Sequence, residues 1–489
     1  MSISSFIKSL QNIMRNDAGV NGDAQRIEQI VWLLFLKVYD SKEEIWEFHD
    51  DNFQSIIPEQ LRWRNWAVDE KDGQARTGDS LLTFVDEELI PSLKNIEVDE
   101  HTPISKAIVT FVFEDTYNYM KDGVLLRQVI NVIDGIDFTD HKERHNFNDI
   151  YEQILKDLQN QRSSGEYYTP RAVTDFMVQM IKPQLGERVA DFATGTGGFL
   201  TSSLNFLEKQ VNSVEDKELY NESVFGIEKK ALPHLLSITN LLLHDIDNPF
   251  IIHGNSLEKN VRDYTEKDRF EVILMNPPYG GSEKDNIKMN FPIELRSSET
   301  ADLFMSVIMY RLKKDGRVGI VLPDGFLFGT DNSKIAIKEK LFKEFNVHTI
   351  IRLPHSVFAP YTSIHTNILF FDKTHPTEET WFYRFDMPEG YKNFSKTKSI
   401  KFEHFQPVMD WWENRKEIIV DGFDKSKKFP VQEIVESNYN LDLCGFSKVE
   451  DIILDPEELM VNYQEERSQL NKQIDNILDD IQQALGDQS

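Results

Sequence analysis

Hydrophobic positions in the first part of the chain recur at helical spacing. In the stretch NGDAQRIEQIVWLLFLKVYD, apolar side chains follow one another every three or four residues behind the capping-type residues Asn21 and Asp23. These apolar positions are Ile27, Ile30, Val31, Leu34, Phe35 and Val38. Further helices are predicted around residues 80–95, 104–113 and 125–133. No catalytic cluster precedes Arg162, so the pattern predicts a helical packing or partner-docking domain over residues 1–145.

From Val189 onward, short apolar runs alternate with helical patterns. The predicted strands are Val189–Phe192, Val224–Ile227, Phe250–Ile252, Val272–Met275, Val318–Leu322, His348–Arg352 and Asn367–Phe371. Such alternation is typical of an α/β, doubly wound and mainly parallel sheet, whose ligands sit at the carboxyl ends of the strands. We therefore predict a ligand-binding domain over residues 146–400.

After Ile400 the pattern weakens, and residues 401–489 are predicted to hold irregular packing or partner segments followed by a helical tail. Asp455 is a suitable cap and Pro456 a suitable first helical residue. The apolar positions of this tail recur at Leu470, Ile474, Ile477, Ile481 and Leu485. This narrow seam suits a coiled-coil contact with a partner, and packing on the chain's own core is equally open.

The stretch RVADFATGTGGFL runs from a strand into a glycine-rich turn. Gly195, Gly197 and Gly198 lack the Cβ atoms that would keep a ligand from the backbone. Leu200 occupies the third glycine position of a dinucleotide fingerprint, and no P-loop pattern occurs in the chain. With Asp191 at the strand end, the turn suits a cofactor that bears an ammonium and a carboxylate. A purely structural turn is the alternative.

Three further polar elements fall near predicted strand or helix ends. Glu228 ends the second strand, where an acid can accept both ribose hydroxyls, and Asn255 after the third strand is placed for an adenine edge or a plain turn. In the stretch SGEYYTPR, Thr169 is predicted to cap a helix and Pro170 to begin it. That helix terminus suits a carboxylate, with Tyr167 and Tyr168 beside it, although a capped helix with aromatic packing explains it equally.

In the stretch VILMNPPYGG, a strand predicted to be buried ends at an asparagine, which is followed by two prolines and an aromatic ring predicted to be exposed. The prolines stop the hydrogen-bond ladder and fix the backbone. The Asn276 side-chain oxygen and the Pro277 carbonyl can then accept both hydrogens of one amino group while Tyr279 stacks on the attached ring. This clamp would act by orientation and electrostatics without a metal or a Ser or Cys nucleophile. A proline-stiffened loop with a surface tyrosine is the alternative.

Composition limits the kinds of site and the cellular location that the chain can have. The single cysteine, Cys444, excludes an internal disulfide and a thiolate metal cluster, and no apolar run is long enough to cross a bilayer. These features predict a cytoplasmic protein with no membrane partner. The net charge of −28 is unusual for a protein that grips nucleic acid by itself. If nucleic acid is the substrate, a partner is expected to supply part of the affinity.

Taken in order, the motifs resemble those of N6-adenine DNA methyltransferases. They are Gly-Glu-Tyr-Tyr-Thr-Pro at 165–170, Asp-Phe-Ala-Thr-Gly-Thr-Gly-Gly-Phe-Leu at 191–200, Glu228 and Asn-Pro-Pro-Tyr at 276–279. With the N-terminal stretch DAQRIEQIVWLLFLKVYD, the chain is similar to the modification (M) subunits of type I restriction–modification systems. The resemblance implies a Rossmann-like S-adenosylmethionine-dependent methyltransferase domain that transfers a methyl group to a flipped adenine.

Site residues follow from the same resemblance. The implied S-adenosylmethionine contacts are Glu166, Tyr167, Tyr168, Thr169, Pro170, Arg171, Thr196, Gly197, Gly198 and Glu228. Asp191, Thr194, Gly195 and Asn255, at the strand ends and in the glycine turn, complete the predicted cofactor site, although Asn255 departs from the Asp often found at its position. The implied target-base residues are Asn276, Pro277 and Tyr279; Pro278 is predicted as part of the same catalytic motif, and Phe358 as a second stacking ring or, equally, a core side chain. No metal is implied.

The resemblance also implies a division of labour that accounts for the acidic charge. The expected partners are DNA, a specificity (S) subunit that reads the site, a second M subunit and a restriction (R) subunit. Lys284, Lys288 and Arg296, in the polar stretch after the clamp, are hypothesised to close over DNA or to lie on an ordinary surface loop. The rival functions are methylation of a protein glutamine or an RNA amine, and an inactive assembly subunit that keeps the fold.

Overall fold

The computed structural model describes residues 3–68, 75–99, 102–139, 169–359, 362, 364–395, 398–443, 445, 460, 467 and 471. The chain forms two compact units, Met1–Gly445 and Phe446–Ser489. In the second unit only Met460, Arg467 and Asn471 are described, and each is helical. The predicted seam from Leu470 to Leu485 and its cap at Asp455 lie outside the described residues.

The N-terminal part of the first unit is helical, as its periodicity predicts. Its helices are α1 (Ile3–Met14), α2 (Asp23–His49), α3 (Trp63–Trp66), α4 (Gly78–Thr83), α5 (Ile90–Lys94), α6 (Ile104–Phe113) and α7 (Gly123–Asp134). A π-helical turn, Phe84–Leu89, joins α4 to α5 and makes one continuous element of the region predicted around 80–95. The apolar stripe of α2 is almost completely buried.

The second part of the unit is built on a ten-stranded sheet with the order β3-β2-β1-β4-β5-β7-β6-β8-β10-β9. The strands are β1 (Val189–Asp191), β2 (Val224–Glu228), β3 (Ile251–His253), β4 (Phe270–Met275), β5 (Leu312–Pro323), β6 (Asn346–Arg352), β7 (Thr366–Asp372), β8 (Glu379–Arg384), β9 (Ile418–Val420) and β10 (Phe423–Pro430). All seven strands predicted from the sequence are present. Neighbouring strands run parallel from β3 to β5, and β7 is antiparallel to both β5 and β6.

Helices cover both faces of the sheet. They are α8 (Arg171–Ile181), α9 (Gly198–Leu207), α10 (Val214–Asn221), α11 (Ala231–Leu243), α12 (Asp285–Lys288), α13 (Thr300–Arg311), α14 (Asp324–Phe328), α15 (Asn332–Glu344), α16 (Gln406–Glu413) and α17 (Val431–Glu436). Side chains of α13 and α15 share one apolar cluster with β4 and β5, and α8 shares another with the opposite face of the same strands. Burial on both faces explains why these strands read as continuous apolar runs.

The sheet continues past the boundary expected at residue 400. The structure forms β9, β10, α16 and α17 where irregular segments were predicted, and β10 pairs antiparallel with β8. The stretch FDKSKKFP has few apolar residues, so it does not read as a buried strand. It pairs because β8 offers an open edge whose backbone groups need partners.

The helical domain packs directly on the sheet domain. Leu34 and Phe35 of α2 lie in the same apolar cluster as Leu200 of α9 and Leu241 of α11. At the rim of this contact, the buried Lys42 ammonium lies 2.6 Å from Asp245. The apolar face of α2 is therefore satisfied largely within the chain. None of the described helices is long and apolar enough to cross a membrane.

Candidate active site

The strand order brings three of the predicted motifs to one edge of the sheet. Because β2, β1 and β4 are parallel neighbours, their carboxyl ends place Glu228, Asp191 and Asn276 side by side. Asn255 follows β3, the next strand along the same edge. This is the position at which open parallel sheets bind ligands.

The glycine turn after β1 is held by the acids beside it. The Asp191 carboxylate accepts a hydrogen bond from the Ala193 N–H at 3.0 Å, and Glu228 accepts one from the Gly195 N–H at 2.7 Å. Gly195 has a φ of +54° and Gly197 a φ of +84°, a region in which side-chain-bearing residues are strained. The glycines therefore allow the tight turn, and the two carboxylates hold it by accepting hydrogen bonds from its backbone.

The three glycines serve different purposes, which corrects the single explanation drawn from the sequence. A Cβ added to Gly195 would meet no atom within 4 Å, so this glycine borders open space in which a ligand can lie. A Cβ on Gly197 would lie 3.4 Å from the Ser237 Cβ, and one on Gly198 would lie 3.6 Å from a Thr174 methyl group. Of the three, only Gly195 borders open space, and the positive φ angles of Gly195 and of Gly197 at the start of α9 also favour glycine there.

Glu228 links the glycine turn to the following helix. It is 9% exposed, and its second carboxylate oxygen accepts a hydrogen bond from the Lys230 N–H at 2.9 Å, at the residue before α11. A carboxylate oxygen can accept more than one hydrogen bond. Glu228 holds the loop, and its carboxylate is the kind of group that accepts hydrogen bonds from a ligand diol.

Asp191 is buried and close to a second acid. Burial raises the pKa of its carboxyl group to about 8, the Ala193 N–H opposes this shift, and the charge of Glu228 adds to it. A buried pair of carboxyl groups disfavours a second negative charge and favours a cationic ligand. The donor set therefore fits a ligand with positive charge and a ribose.

The raised pKa of Asp191 predicts a pH-dependent stability. Between the unfolded pKa of 3.8 and the folded pKa of about 8, the folded chain keeps a proton that the unfolded chain has lost. The free energy of unfolding should therefore fall by roughly 1.4 kcal/mol per pH unit as pH rises through this window, relative to Asp191→Asn. Urea unfolding of both proteins from pH 5 to 9 measures this difference. A difference that does not change with pH would contradict the assignment.

The remaining predicted cofactor residues of this edge have internal partners. The Thr194 hydroxyl donates to the carbonyl oxygens of Asp191 and Ile227, and a Cβ at Gly226 would meet that hydroxyl at 2.5 Å. The Thr196 carbonyl accepts from the Asn240 amide at 3.1 Å. Asn255 accepts from the Leu257 N–H at 3.1 Å in a side-chain turn, so its carbonyl serves the turn expected as the alternative.

The Asn-Pro-Pro-Tyr corner begins where β4 ends at Met275. Asn276 is half-buried, Pro277 is buried and Pro278 is exposed, so the corner reaches the protein surface. The Asn276 amide nitrogen donates to the Thr169 hydroxyl at 2.9 Å, and the Tyr279 hydroxyl donates to the amide oxygen. The amide is held at both ends, and its oxygen keeps a second lone pair for an incoming N–H group.

The two rings proposed to stack on a base are packed inside the protein, contrary to the exposed tyrosine expected from the sequence. Tyr279 is 7% exposed and Phe358 is 1% exposed, and both belong to the apolar cluster that lies on the α8 face of the sheet. Gly280, with a φ of +68°, turns the chain directly after the tyrosine. Burial of the ring with its hydroxyl hydrogen-bonded is favourable. Of the two alternatives for Phe358, the structure shows the buried core side chain.

The helix after Thr169 starts one residue later than predicted. α8 begins at Arg171 with Pro170 at the N-cap position, and the Thr169 hydroxyl contacts Asn276. The Arg171 guanidinium donates to the Gly198 carbonyl at 2.9 Å and also to the hydroxyl groups of Thr201 and Ser202. Arg171 therefore fastens α8 to the start of α9. Glu166, Tyr167 and Tyr168 lie outside the described residues.

Sequence reasoning missed the partner of Asn276. Thr169 was assigned to the cofactor through its motif. In the structure its hydroxyl accepts a hydrogen bond from Asn276, although the two residues are 107 positions apart in sequence. No local pattern signals such a contact. Within the described ranges no group of His, Cys, Asp or Glu residues has the arrangement of a metal site.

Comparison with known proteins places this geometry in a family. Residues 142–452 match the family described as N-6 DNA Methylase, and residues 3–133 match the family described as the HsdM N-terminal domain. The chain belongs to the N-6 DNA methylase family. The resemblance inferred from its motifs is thereby confirmed, together with the predicted fold class and the class of enzyme.

Individual relatives of this N-6 DNA methylase match all or most of the chain. The type I restriction enzyme EcoEI methylase subunit of Escherichia coli is 48% identical over 493 residues, which cover 99% of each chain. The StySPI methylase subunit of Salmonella potsdam is 28% identical over 78% of this chain and 70% of its own length.

Solved structures give the same family. A protein from Vibrio vulnificus, described as a modification subunit of a type I restriction enzyme, has a TM-score of 0.78 at 40% identity and covers 88% of this chain and 92% of its own. A chain solved in work on complex assembly and conformational transition of the type I R-M system has a TM-score of 0.80 at 32% identity, covering 97% of both chains.

Proposed function

We propose that this chain transfers the methyl group of S-adenosylmethionine to the N6 amino group of adenine in DNA, as the methylase subunit of a type I restriction–modification complex. The observation that carries the proposal is the Asn276 amide, which is held at both ends and lies at the same strand-end edge as Asp191 and Glu228. Membership of the N-6 DNA methylase family supports the assignment.

The pocket residues fit the proposed cofactor. Glu228 would accept the ribose hydroxyls, Asp191 would face the ammonium, and the space beside Gly195 would receive the ligand next to the backbone. The buried carboxyl groups favour a cationic ligand, and the open side of Gly195 matches its close approach. When bound, S-adenosylmethionine would supply a methyl group attached to a positively charged sulfur.

The clamp would prepare the amine for attack. The Asn276 oxygen accepts one N6 hydrogen and the Pro277 carbonyl accepts the other, which draws the nitrogen away from conjugation with the ring and makes its lone pair available. Thr169 fixes the amide so that its oxygen, rather than its nitrogen, faces the amine. Since an adenine inside a duplex cannot reach this corner, the base must be extruded first.

The same proposal includes partners. We propose that the chain works with DNA, a specificity subunit, a second methylase subunit and a restriction subunit. Its net charge of −28 supports this, because phosphate neutralisation by basic groups supplies much of the affinity of proteins for DNA. The curated relatives reported above are likewise methylase subunits of type I restriction enzymes.

Methyl transfer from labelled S-adenosylmethionine to unmethylated genomic DNA tests the proposal, with and without the specificity subunit. We expect label on N6-methyladenine after nucleoside digestion, and transfer that requires the specificity subunit. RNA and total protein in parallel reactions test the rival amine acceptors. Label on cytosine, on RNA or on glutamine would contradict the assignment, and absence of label from every acceptor would favour an inactive assembly subunit.

A further inference from the structure

One short segment of this acidic chain carries only positive charge. Residues 391–401, YKNFSKTKSIK, contain lysines and neither aspartate nor glutamate, in a protein whose net charge is −28. Lys396 lies outside the described residues, and the other three lysines, Lys392, Lys398 and Lys401, are exposed. We call these three residues the lysine strip.

The lysine strip lies at the catalytic edge of the sheet. β8 is parallel to β6, and β6 runs in the same direction as β5 and β4, so β8 ends at Arg384 on the edge that holds Asn276. The segment that follows turns back over this edge. It is fastened there by the Phe394 N–H, which donates to the Ser356 hydroxyl at 2.9 Å.

Buried side chains anchor the lysine strip in the same large apolar cluster that holds the tyrosine of the clamp. Phe394 and Ile400, which flank Lys398, belong to the apolar cluster that contains Tyr279 and Phe358. Both are at most 5% exposed. The segment is therefore anchored by its apolar residues while its lysines point away from the core, as long cationic side chains do when their charge stays in water.

The charges of the lysine strip are not neutralised inside the protein. Among the described residues, no carboxylate forms an ion pair with Lys392, Lys398 or Lys401. The Lys398 ammonium instead donates to the Gly390 carbonyl at 3.1 Å and lies 4.6 Å from the centre of the Tyr391 ring. The strip thus presents positive charge to the solvent at the edge of the sheet that also carries Asn276.

The loop after the clamp, hypothesised from the sequence to contact DNA, differs in this respect. Residues 282–300 contain Glu283, Asp285, Glu294 and Glu299 besides their three cations. Lys288 is paired with Asp285 at 3.2 Å, and the Arg296 guanidinium donates to the Phe291 carbonyl at 3.1 Å. Mixed charge makes this loop the weaker candidate for phosphate binding.

We propose that the lysine strip binds the phosphate backbone of DNA next to the flipped adenine. The inference rests on the proposed function, because a DNA substrate whose base enters the Asn276 corner brings its phosphates to this edge. Phosphate contacts of this kind set the position of the duplex without reading its sequence. The strip supplies locally the positive charge that the chain lacks as a whole.

The test is the salt dependence of DNA binding by the complete complex with its specificity subunit. In the triple variant Lys392→Gln, Lys398→Gln, Lys401→Gln, we expect the slope of log Kd against log salt to fall by about 2.7, since each lost phosphate contact removes about 0.9. We also expect KM for DNA to rise about tenfold or more, with kcat at saturating DNA and the Kd of S-adenosylmethionine unchanged.

A matched control removes the same charge elsewhere. The control is the triple variant Lys284→Gln, Lys288→Gln, Arg296→Gln, which lowers the net charge by the same amount. If the slope of log Kd against log salt changed equally in both triple variants, the effect would come from the net charge of the protein, and the inference would be overturned. An unchanged slope in the strip variant would also overturn it. Failure of the strip variant to assemble with the specificity subunit would assign the strip to an acidic protein partner and overturn the inference.

The binding experiment separates this inference from the proposed function. Binding does not require methyl transfer, so a wild-type complex that transfers no methyl group but shows a strip-dependent slope would refute the function and leave the inference standing. Normal methyl transfer by the wild-type complex, together with an unchanged salt slope in the strip variant, would support the proposed function and refute the inference.

Discussion

Asn276→Ala should lower kcat for methyl transfer by about 10²- to 10³-fold while the Kd of S-adenosylmethionine stays within about twofold of wild type. The expected size is that of losing one positioned polar group whose contact strengthens in the transition state. The amide oxygen is the group lost, and it is the acceptor that the structure holds in place through Thr169 and Tyr279. Single-turnover transfer to DNA by the complete complex measures the effect.

Thr169 provides a finer test of the same mechanism. Thr169→Val keeps the shape of the side chain but removes the hydroxyl that receives the Asn276 N–H. One neutral hydrogen bond is worth about 1 kcal/mol, so kcat should fall roughly fivefold, and Thr169→Ser should restore it. In an Asn276→Ala background, Thr169→Val should have no further effect on kcat. Undiminished transfer by Asn276→Ala would refute the clamp, and additive losses would refute the role of Thr169.

Glu228→Ala should weaken S-adenosylmethionine binding about 100-fold, the second of the two largest effects. Hydrogen bonds to a charged acceptor contribute about 1.5–3 kcal/mol each, and Glu228 is proposed to accept the ribose hydroxyls. The variant also removes the acceptor for the N–H groups of Gly195 and Lys230, so the glycine turn loses its fixed position. Calorimetric titration with S-adenosylhomocysteine gives the change in Kd without turnover.

A ligand lacking the ribose hydroxyls separates these two causes. If Glu228 contacts the ribose, the 2′,3′-dideoxy analogue of S-adenosylhomocysteine binds wild type much more weakly than the parent compound does, whereas Glu228→Gln discriminates far less between the two. Glu228→Gln is the conservative variant because it keeps one oxygen for the loop. Equal discrimination by both proteins would limit Glu228 to holding the loop and would remove it from the cofactor contacts.

The hydrogen bonds of the clamp also bear on how a base enters. Tyr279 is 7% exposed, and its hydroxyl is on the Asn276 oxygen, so its ring does not present a face to solvent in this structure. Stacking of Tyr279 on an extruded adenine therefore stays a prediction, whereas the hydrogen bonds that hold the Asn276 amide are present in this structure.

Much of the fold was determined by local sequence. The seven predicted strands exist because apolar runs bounded by turn residues bury on both faces of a sheet, and this burial does not depend on distant details. The glycine turn, Glu228 and the Asn-Pro-Pro-Tyr corner were found for a related reason. Each lies directly after a strand, and parallel pairing brings all strand ends of this kind to one edge.

Sequence reasoning was weaker where a segment depends on its neighbours. β10 has little strand character of its own and forms because it covers the open edge of β8. Tyr279 was expected to be exposed because it follows two prolines, but Gly280 turns the chain and the ring joins a cluster made by remote elements. The propensities of neighbouring residues contain no information about the open edge of β8 or about the remote elements that surround Tyr279.

The sequence by itself thus determined the family motifs, the order of the strands along the chain and the edge at which we propose that the chemistry occurs. Only the tertiary structure decided that Thr169 holds the Asn276 amide, that Glu228 fastens the glycine turn, and that the lysine strip lies at the same edge of the sheet as the clamp. The physical reason is that turns and buried strands follow from neighbouring residues. Contacts between segments far apart in sequence depend on how the whole sheet brings them together.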